Sequence, residues 1–508
     1  MLSLRFLSIL ASVFLTLLVL KNLDAVTDIY SGRIGPAERR GLAQTKRSTT
    51  PLAKSIAHYT MGIIYDNELR AEDAIKQYEA AIKIEPDVSY LHTRLAVDYF
   101  LTKDVEKALE ELTKAKFLDP ADPKPRFLAA LIYTSSHRFE EAQKEYQEIM
   151  KLSPDSIWAL SSLADVLMLQ EKMGEAAAIY ERLIEKEKNS PLLYFNLAFI
   201  YSKMGKAEDG IKALEEAIKL KPDYLEAYIG LGVLYETKKD MRGAIKNFEK
   251  ALELDPVNTN IYHHLGYLFY KDKKYDEAIR LYQTLVKLDS DDVRAYVEWA
   301  NVYLAQKKAD EAIAILEQAT DTGLKDVELY LALGYAYSLR NDDGRTLKFY
   351  NMAQELAPDE PWVHFYLGSF YEKIGQKETA ETKFRKAIAL DQGFAEAYNY
   401  LGYMFAESGE NLDEAVDLVK KALEKDPDNG AYLDSLGWAY FKKGMLDEAL
   451  RELERAINSE PDDPTITDHL GDVYMKKGLQ EKARQMWERS LKLDPKQEKV
   501  QQKLRTAK

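Results

Sequence analysis

No cysteine occurs anywhere in the 508 residues. That absence excludes disulfides, thiolate metal sites, a cysteine nucleophile and a lipid-modified N-terminal cysteine. Histidine is scarce as well. The seven are His58, His92, His137, His263, His264, His364 and His469, with no HExxH and no histidine–carboxylate pair at metal-ligand spacing. His263 and His264 are the one cluster, and helical neighbours point about 100° apart, which favours ordinary packing over shared ligation. No GxSxG, P-loop or GxGxxG is present. Neither a catalytic residue, a metal site nor a cofactor is therefore expected, and the chain reads as a non-enzyme.

Positive charge is in deficit over most of the chain. The net charge is −14, yet residues 1–54 hold eight Lys/Arg against three Asp/Glu, so they carry +5 and the remainder carries −19. So acidic a body argues against nucleic acid as a partner. Its carboxylates sit among lysines three and four residues away, as in Glu106, Glu110, Glu111 and Lys114. They read as solvated helix faces.

Long apolar runs are confined to Leu2–Leu20, broken by Arg5 and small hydroxyl residues and followed by Lys21. Two readings stand. As a signal peptide, residues 1–25 offer Arg5, an apolar stretch from Phe6 to Leu20, and cleavage after Leu23-Asp24-Ala25. As a retained anchor, the run would reach about 28 Å as a helix, close to the hydrocarbon thickness of about 30 Å. Export to the periplasm or cell envelope is the favoured location. The basic flank Arg33, Arg39, Arg40, Lys46, Arg47 and Lys54 supports the alternative of a membrane-anchored chain facing the cytoplasm. Residues 26–54, with Ser31-Gly32, Gly35-Pro36 and Ser48-Thr49-Thr50-Pro51, form a basic flexible linker.

What fills the rest is a repeat, seen clearly in LEAYIGLGVLYETKKDMRGAIKNFEKALELDPVN, residues 225–258. Tyr228, Leu231, Gly232 and Tyr235 fall at helical spacing; Ala244, Phe248 and Ala251 do so again; Asp255-Pro256 closes the unit. Two helices, A and B, result. At a step of 34 the Gly232 position reads Gly62, Ala96, Ala130, Ala164, Ala198, Gly232, Gly266, Ala300, Gly334, Gly368 and Gly402, then after a one-residue slip Gly437 and Gly471. None of the thirteen exceeds alanine, as close approach of helix A to helix B requires. The matching helix B position, from Ala74 to Ala483, exceeds alanine only at Thr346. The large residue three places on in helix A (Tyr65, Tyr99, Tyr235, Tyr337, Tyr474 and their equivalents) is expected to fill the space the small ones leave.

This pattern resembles the tetratricopeptide repeat (TPR). The resemblance implies an all-α solenoid, a right-handed superhelix of thirteen helix-turn-helix repeats over residues 55–497, with residues 498–508 as a C-terminal capping helix. A soft joint is expected near 320–325, where Thr320-Asp321-Thr322-Gly323-Leu324 lacks the junction proline, and a one-residue insertion near 408–411. Lys188 and Ser290 also replace that proline, although Ser190-Pro191 supplies an N-cap and first-turn proline. Residues 434–491 are similar to the C-terminal repeats of bacterial envelope TPR proteins, among them adaptors of a carboxyl-terminal processing protease and scaffolds of polysaccharide export.

In the family, helix A lines a concave groove at its second, fifth, ninth and twelfth positions. Here those positions are aromatic or apolar: Tyr59, Tyr90, Phe100, Phe127, Leu131, Trp158, Phe195, Phe199, Tyr267, Tyr270, Tyr335, Trp362, Phe365, Tyr403, Trp438 and Phe441. The Lys and Asn of a carboxylate clamp are absent, since the fifth and ninth positions read Tyr59 and Ile63, Thr93 and Val97, Phe127 and Leu131. The expected function is a protein-interaction scaffold or adaptor gripping protein segments by aromatic anchors. Tighter packing of the solenoid on itself is the bland alternative for these rings. Self-association of the chain, and membrane contact through an uncleaved N-terminus, are the further partners the sequence allows.

Overall fold

The computed structural model describes residues 50–154 and 156–506. The expected leader or anchor and nearly all of the linker lie outside the described residues. Among those described there are twenty-seven helices and no strand, and no helix is long and apolar enough to cross a membrane. Thirteen helix pairs are followed by the short helix Glu498–Thr506. They gather into two compact halves, one ending at Ile261 and one beginning at Tyr262.

Within each pair, helix A is reversed by one residue in the left-handed region. In the sixth repeat, helix A (Leu225–Thr237) gives way to Lys239 at φ 61°, and the next amide, Asp240, donates to the carbonyl of Tyr235 at 2.9 Å. The same closure recurs at Arg70 to Tyr65 and at Gln376 to Tyr371. It is a Schellman-type stop, normally glycine's place. Here only five of the thirteen are glycine, Gly205, Gly375, Gly409, Gly444 and Gly478; Leu69, Lys103, His137, Glu171, Lys239, Lys273, Lys307 and Asn341 adopt the strained angle instead. The inserted residue of the eleventh repeat follows Gly409, and Asn411, at φ 49°, absorbs it.

The small-against-large lock is present, but its large member was misplaced by the sequence reading. At the small position of helix A, glycine faces the helix B side chain sixteen residues on, seventeen at Gly402 where the insertion intervenes: Gly62 meets Tyr78, Gly232 meets Phe248, Gly266 meets Tyr282, Gly368 meets Phe384, Gly402 meets Val419 and Gly471 meets Trp487. The helix A tyrosines do something else. Their hydroxyls tie successive repeats, Tyr99 donating to Glu79 at 2.7 Å, Tyr201 to Glu181 at 2.6 Å and Tyr474 to Glu454 at 3.0 Å. A cation from the start of helix B covers the ring, with Arg70 4.4 Å from the Tyr65 centroid, Arg138 4.6 Å from Tyr133 and Arg345 4.3 Å from Tyr337.

Junctions are closed by polar side chains. His92 and His364 donate to the carbonyls of Pro86 and Pro358 at 2.8 and 2.7 Å, while Arg182, Arg455 and Arg489 reach those of Pro154, Pro427 and Pro461. Pro191 occupies the first turn as expected, but Ser190 makes no side-chain capping bond. Around 320–325, Gly323 turns the chain at φ 93°, the Thr322 hydroxyl donates to the Ala319 carbonyl at 2.7 Å, and Asp326 caps two amides of the following helix.

Candidate functional site: the exposed face of helix A

In the N-terminal half the expected groove residues separate into packing and surface groups. Tyr59 and Tyr90 meet edge to face at 5.5 Å, with Tyr90 exposed. Phe127 is a correction. Only 7 % exposed, it packs edge-on against Trp158 at 4.6 Å and Tyr146 at 6.1 Å, leaving Trp158 outside. Leu131 and Phe199 are half-buried against the same cluster. Phe195 is corrected too. It is 8 % exposed and packs on Tyr224 at 5.4 Å, so it serves the contact between repeats five and six and is no free anchor. Phe195 and Phe199 line a small, mostly apolar pocket between the helices Pro191–Lys203 and Leu225–Thr237, where Gly230 replaces the larger side chains found at this position elsewhere.

The sequence reading missed a buried charged group in the first two repeats. Asp66, Arg94 and Asp98 are all nearly inaccessible. Tyr78 donates to Asp66 at 2.5 Å, and Arg94 lies 3.7 Å from the same carboxylate. Asp98 occupies a position that is apolar in the other twelve repeats, Ile132, Val166 and Leu234 among them. Burial, then the neighbouring Asp66 charge, pushes its carboxyl up to about 8.

In the C-terminal half, histidine–carboxylate pairs bridge repeats, which spacing within one helix could not reveal. His263 is held on both ring nitrogens, by Glu298 at 2.7 Å and Asp292 at 2.8 Å. Burial opposes its charge, but the two carboxylates prevail and raise its pKa. Its neighbour His264 is pushed down to about 4 by burial and then by Arg294. Trp438, expected in the groove, is 8 % exposed. It is sandwiched between His469 at 4.0 Å and Phe441 at 5.0 Å, and its indole donates to Glu407 at 2.8 Å. Among the described residues no three histidine or carboxylate side chains are placed to hold a metal ion.

Repeats nine to eleven hold a connected and accessible aromatic group. It is built on the helices Val327–Leu339, Pro361–Lys373 and Ala395–Ser408. Tyr335 (42 % exposed) meets Tyr366 at 6.3 Å, Tyr366 meets Trp362 (40 %) at 6.0 Å, and Phe365 joins Trp362 to Tyr400 (45 %) at 5.4 and 4.9 Å. Phe365 itself, 7 % exposed, is the floor of this group and not one of its exposed rings. Tyr403 and Phe441 are half-buried, as are Tyr267, which carries Lys271 over its ring at 5.5 Å, and Tyr270. Tyr366 and Tyr400 are not among the expected groove residues, because they stand two residues before Gly368 and Gly402, outside the family's four groove positions. Their own spacing of 34 was the signal available.

The repeat itself is shared with known proteins. Tetratricopeptide repeat profiles match residues 223–496, then 133–198 and 167–231, and residues 59–123. The chain therefore belongs to the tetratricopeptide repeat family. Among curated proteins it is similar to small glutamine-rich tetratricopeptide repeat-containing protein 2 of Mycosarcoma maydis, 33% identical over 88 residues, or 17% of this chain and 25% of that protein. It is also similar to TPR repeat-containing protein PA4667 of Pseudomonas aeruginosa, 30% identical over 113 residues, or 22% of this chain and 19% of that protein. Each match spans a quarter of the relative's length or less. Among solved structures, a chain of the APC/C hetero-tetramer Cut9–Hcn1 aligns with a TM-score of 0.44 at 16% identity, covering 89% of this chain and 96% of that one. Families of this repeat mediate protein–protein interaction and scaffolding.

Proposed function

We propose that this protein is a non-enzymatic scaffold or adaptor whose helix A face, at repeats nine to eleven, holds protein segments. One observation carries the reading: Tyr335, Trp362 and Tyr400 are each about two-fifths exposed, yet they belong to one connected aromatic group. Scattered exposed rings are ordinary, whereas a contiguous accessible patch on a folded chain marks an interaction site. Rings with only two side-chain torsions also lose little entropy when a partner covers them.

The setting proposed is the bacterial cell envelope, with residues 1–25 as leader or anchor and 26–54 as a tether to the repeats. Peptide mapping of the mature N-terminus tests that part: a start at Val26 means cleavage, and a start near Met1 means a retained anchor. The binding face is tested with a photo-crosslinking amino acid placed singly at Tyr335, at Trp362 and, as control, at Lys386 on a helix B. Discrete adducts from the first two positions and none from the third support the reading. Equal adducts at all three, or none, reject it.

A further inference from the structure

We infer that the tyrosine-rich group of repeats nine to eleven selects an arginine side chain presented by a partner protein; this rests on the scaffold reading and specifies what that face reads.

Three phenols converge there. Tyr366 meets Tyr335 at 6.3 Å; burial, then the nearby Tyr335, Tyr400 and Glu328, hold its hydroxyl above the ordinary tyrosine pKa, as burial, then Tyr335 and Glu372, do at Tyr400. None of the three hydroxyls makes a hydrogen bond among the described residues. That contrasts with Tyr78, Tyr99, Tyr201 and Tyr474, each spent on a carboxylate.

The ring faces differ in the same way. Over Tyr65, Tyr133 and Tyr337 the chain supplies its own arginine, and over Tyr99, Tyr201 and Tyr474 its own lysine. No lysine or arginine of the described residues stands over Tyr335, Tyr366, Tyr400 or Trp362. The neighbouring Lys373 is turned away, donating to the Ser338 carbonyl at 2.6 Å and facing Asp343. Glu372 is exposed and has no ion pair among the described residues.

Aromatic faces without a cation, phenol oxygens without a donor and an unpaired carboxylate together ask for one chemistry. A guanidinium stacks on rings and presents five N–H donors, matching both the phenols and Glu372. A purely apolar segment would cover the phenol oxygens and Glu372 without pairing them, which is unfavourable. The −19 carried by the chain beyond residue 54 acts in the same direction, steering basic segments toward it.

The test is selection of a displayed random-dodecapeptide library on the full-length chain, followed by titration of the selected peptides with each arginine replaced by citrulline. The expected result is arginine in the selected peptides, at least tenfold weaker binding of the citrulline versions, and about fivefold or greater weakening by Glu372→Gln or by Tyr366→Phe at unchanged thermal midpoint. Both substitutions are conservative, and Glu372 is exposed, so loss of folding does not obscure the outcome. Selected peptides that lose binding on Trp362→Ala yet tolerate citrulline and Glu372→Gln overturn the arginine assignment and leave the scaffold reading standing. Binders indifferent to Trp362→Ala, Tyr366→Phe and Glu372→Gln alike overturn the site. A library that yields no binder removes both readings. Binding of a synthetic peptide of residues 31–49 with the same sensitivities overturns the separate partner and makes the chain's own basic linker the occupant.

Discussion

Gly232 lies against the ring of Phe248 so closely that a methyl group on it would stand 2.7 Å from Cε2. The ring is fully buried and cannot swing away. Gly232→Ala should therefore cost about 1–3 kcal/mol through overpacking, in spite of alanine's better helix propensity. The chain contains its own remedy, for Ala96, Ala198 and Ala300 stand sixteen residues before Leu112, Leu214 and Leu316. Adding Phe248→Leu to Gly232→Ala should restore much of the loss. Urea midpoints of the two single variants and the double variant check this, and simple additivity would refute the lock.

Leu69 holds φ at 58° and is 91 % exposed, so it bears the left-handed strain with no packing in return. Leu69→Gly relieves about 1–2 kcal/mol of that strain and gives part of it back as unfolded-state entropy. A net gain of about 0.5–1 kcal/mol in thermal or urea unfolding is expected. Any destabilisation would show that Leu69 packs on something in solution.

Asp98 makes stability fall as pH rises. Its folded pKa, about 8, is above the ordinary carboxylate value, so the folded chain keeps a proton that the unfolded chain has already released. Its contribution is full below about pH 4, the usual aspartate range, and is lost progressively toward pH 8. Asp98→Asn should flatten this slope, so that the variant gains on the parent with every step from pH 5 to pH 8. Amide exchange within Ser89–Leu101 reads the effect locally. Parallel pH curves for parent and variant would refute it.

His263 gives a second pH dependence of the same sign, in the other half. Its raised pKa comes from Asp292 and Glu298, acting against burial. The stabilisation is complete below the unfolded histidine value of about 6.5 and is lost as pH rises through the folded value. His263→Gln should lose on the order of 1–3 kcal/mol at pH 6, typical of bonds to charged partners, and less at pH 9. Replacing His264, which burial already holds neutral at both pH values, should leave that pH dependence in place. Urea unfolding at the two pH values separates them.

Much was legible in the chain itself. Thirteen small residues at a 34-residue step gave the repeat, its helix pairs and its family, because a close helix–helix approach leaves no chemical freedom at the contact. The left-handed turns were not legible, since eight of thirteen carry a residue other than glycine; the closing bond from the next amide to the eleventh helix A position imposes the angle. Which aromatic rings are free was a tertiary decision as well. Phe195, Phe365 and Trp438 share the groove pattern with Tyr335 and Trp362, but Tyr224, Phe394 and His469 happen to cover the first three. Sequence alone fixes where each ring leaves its helix. Whether water or another ring meets it depends on the neighbouring repeat, whose side chain there is set by no rule of the period.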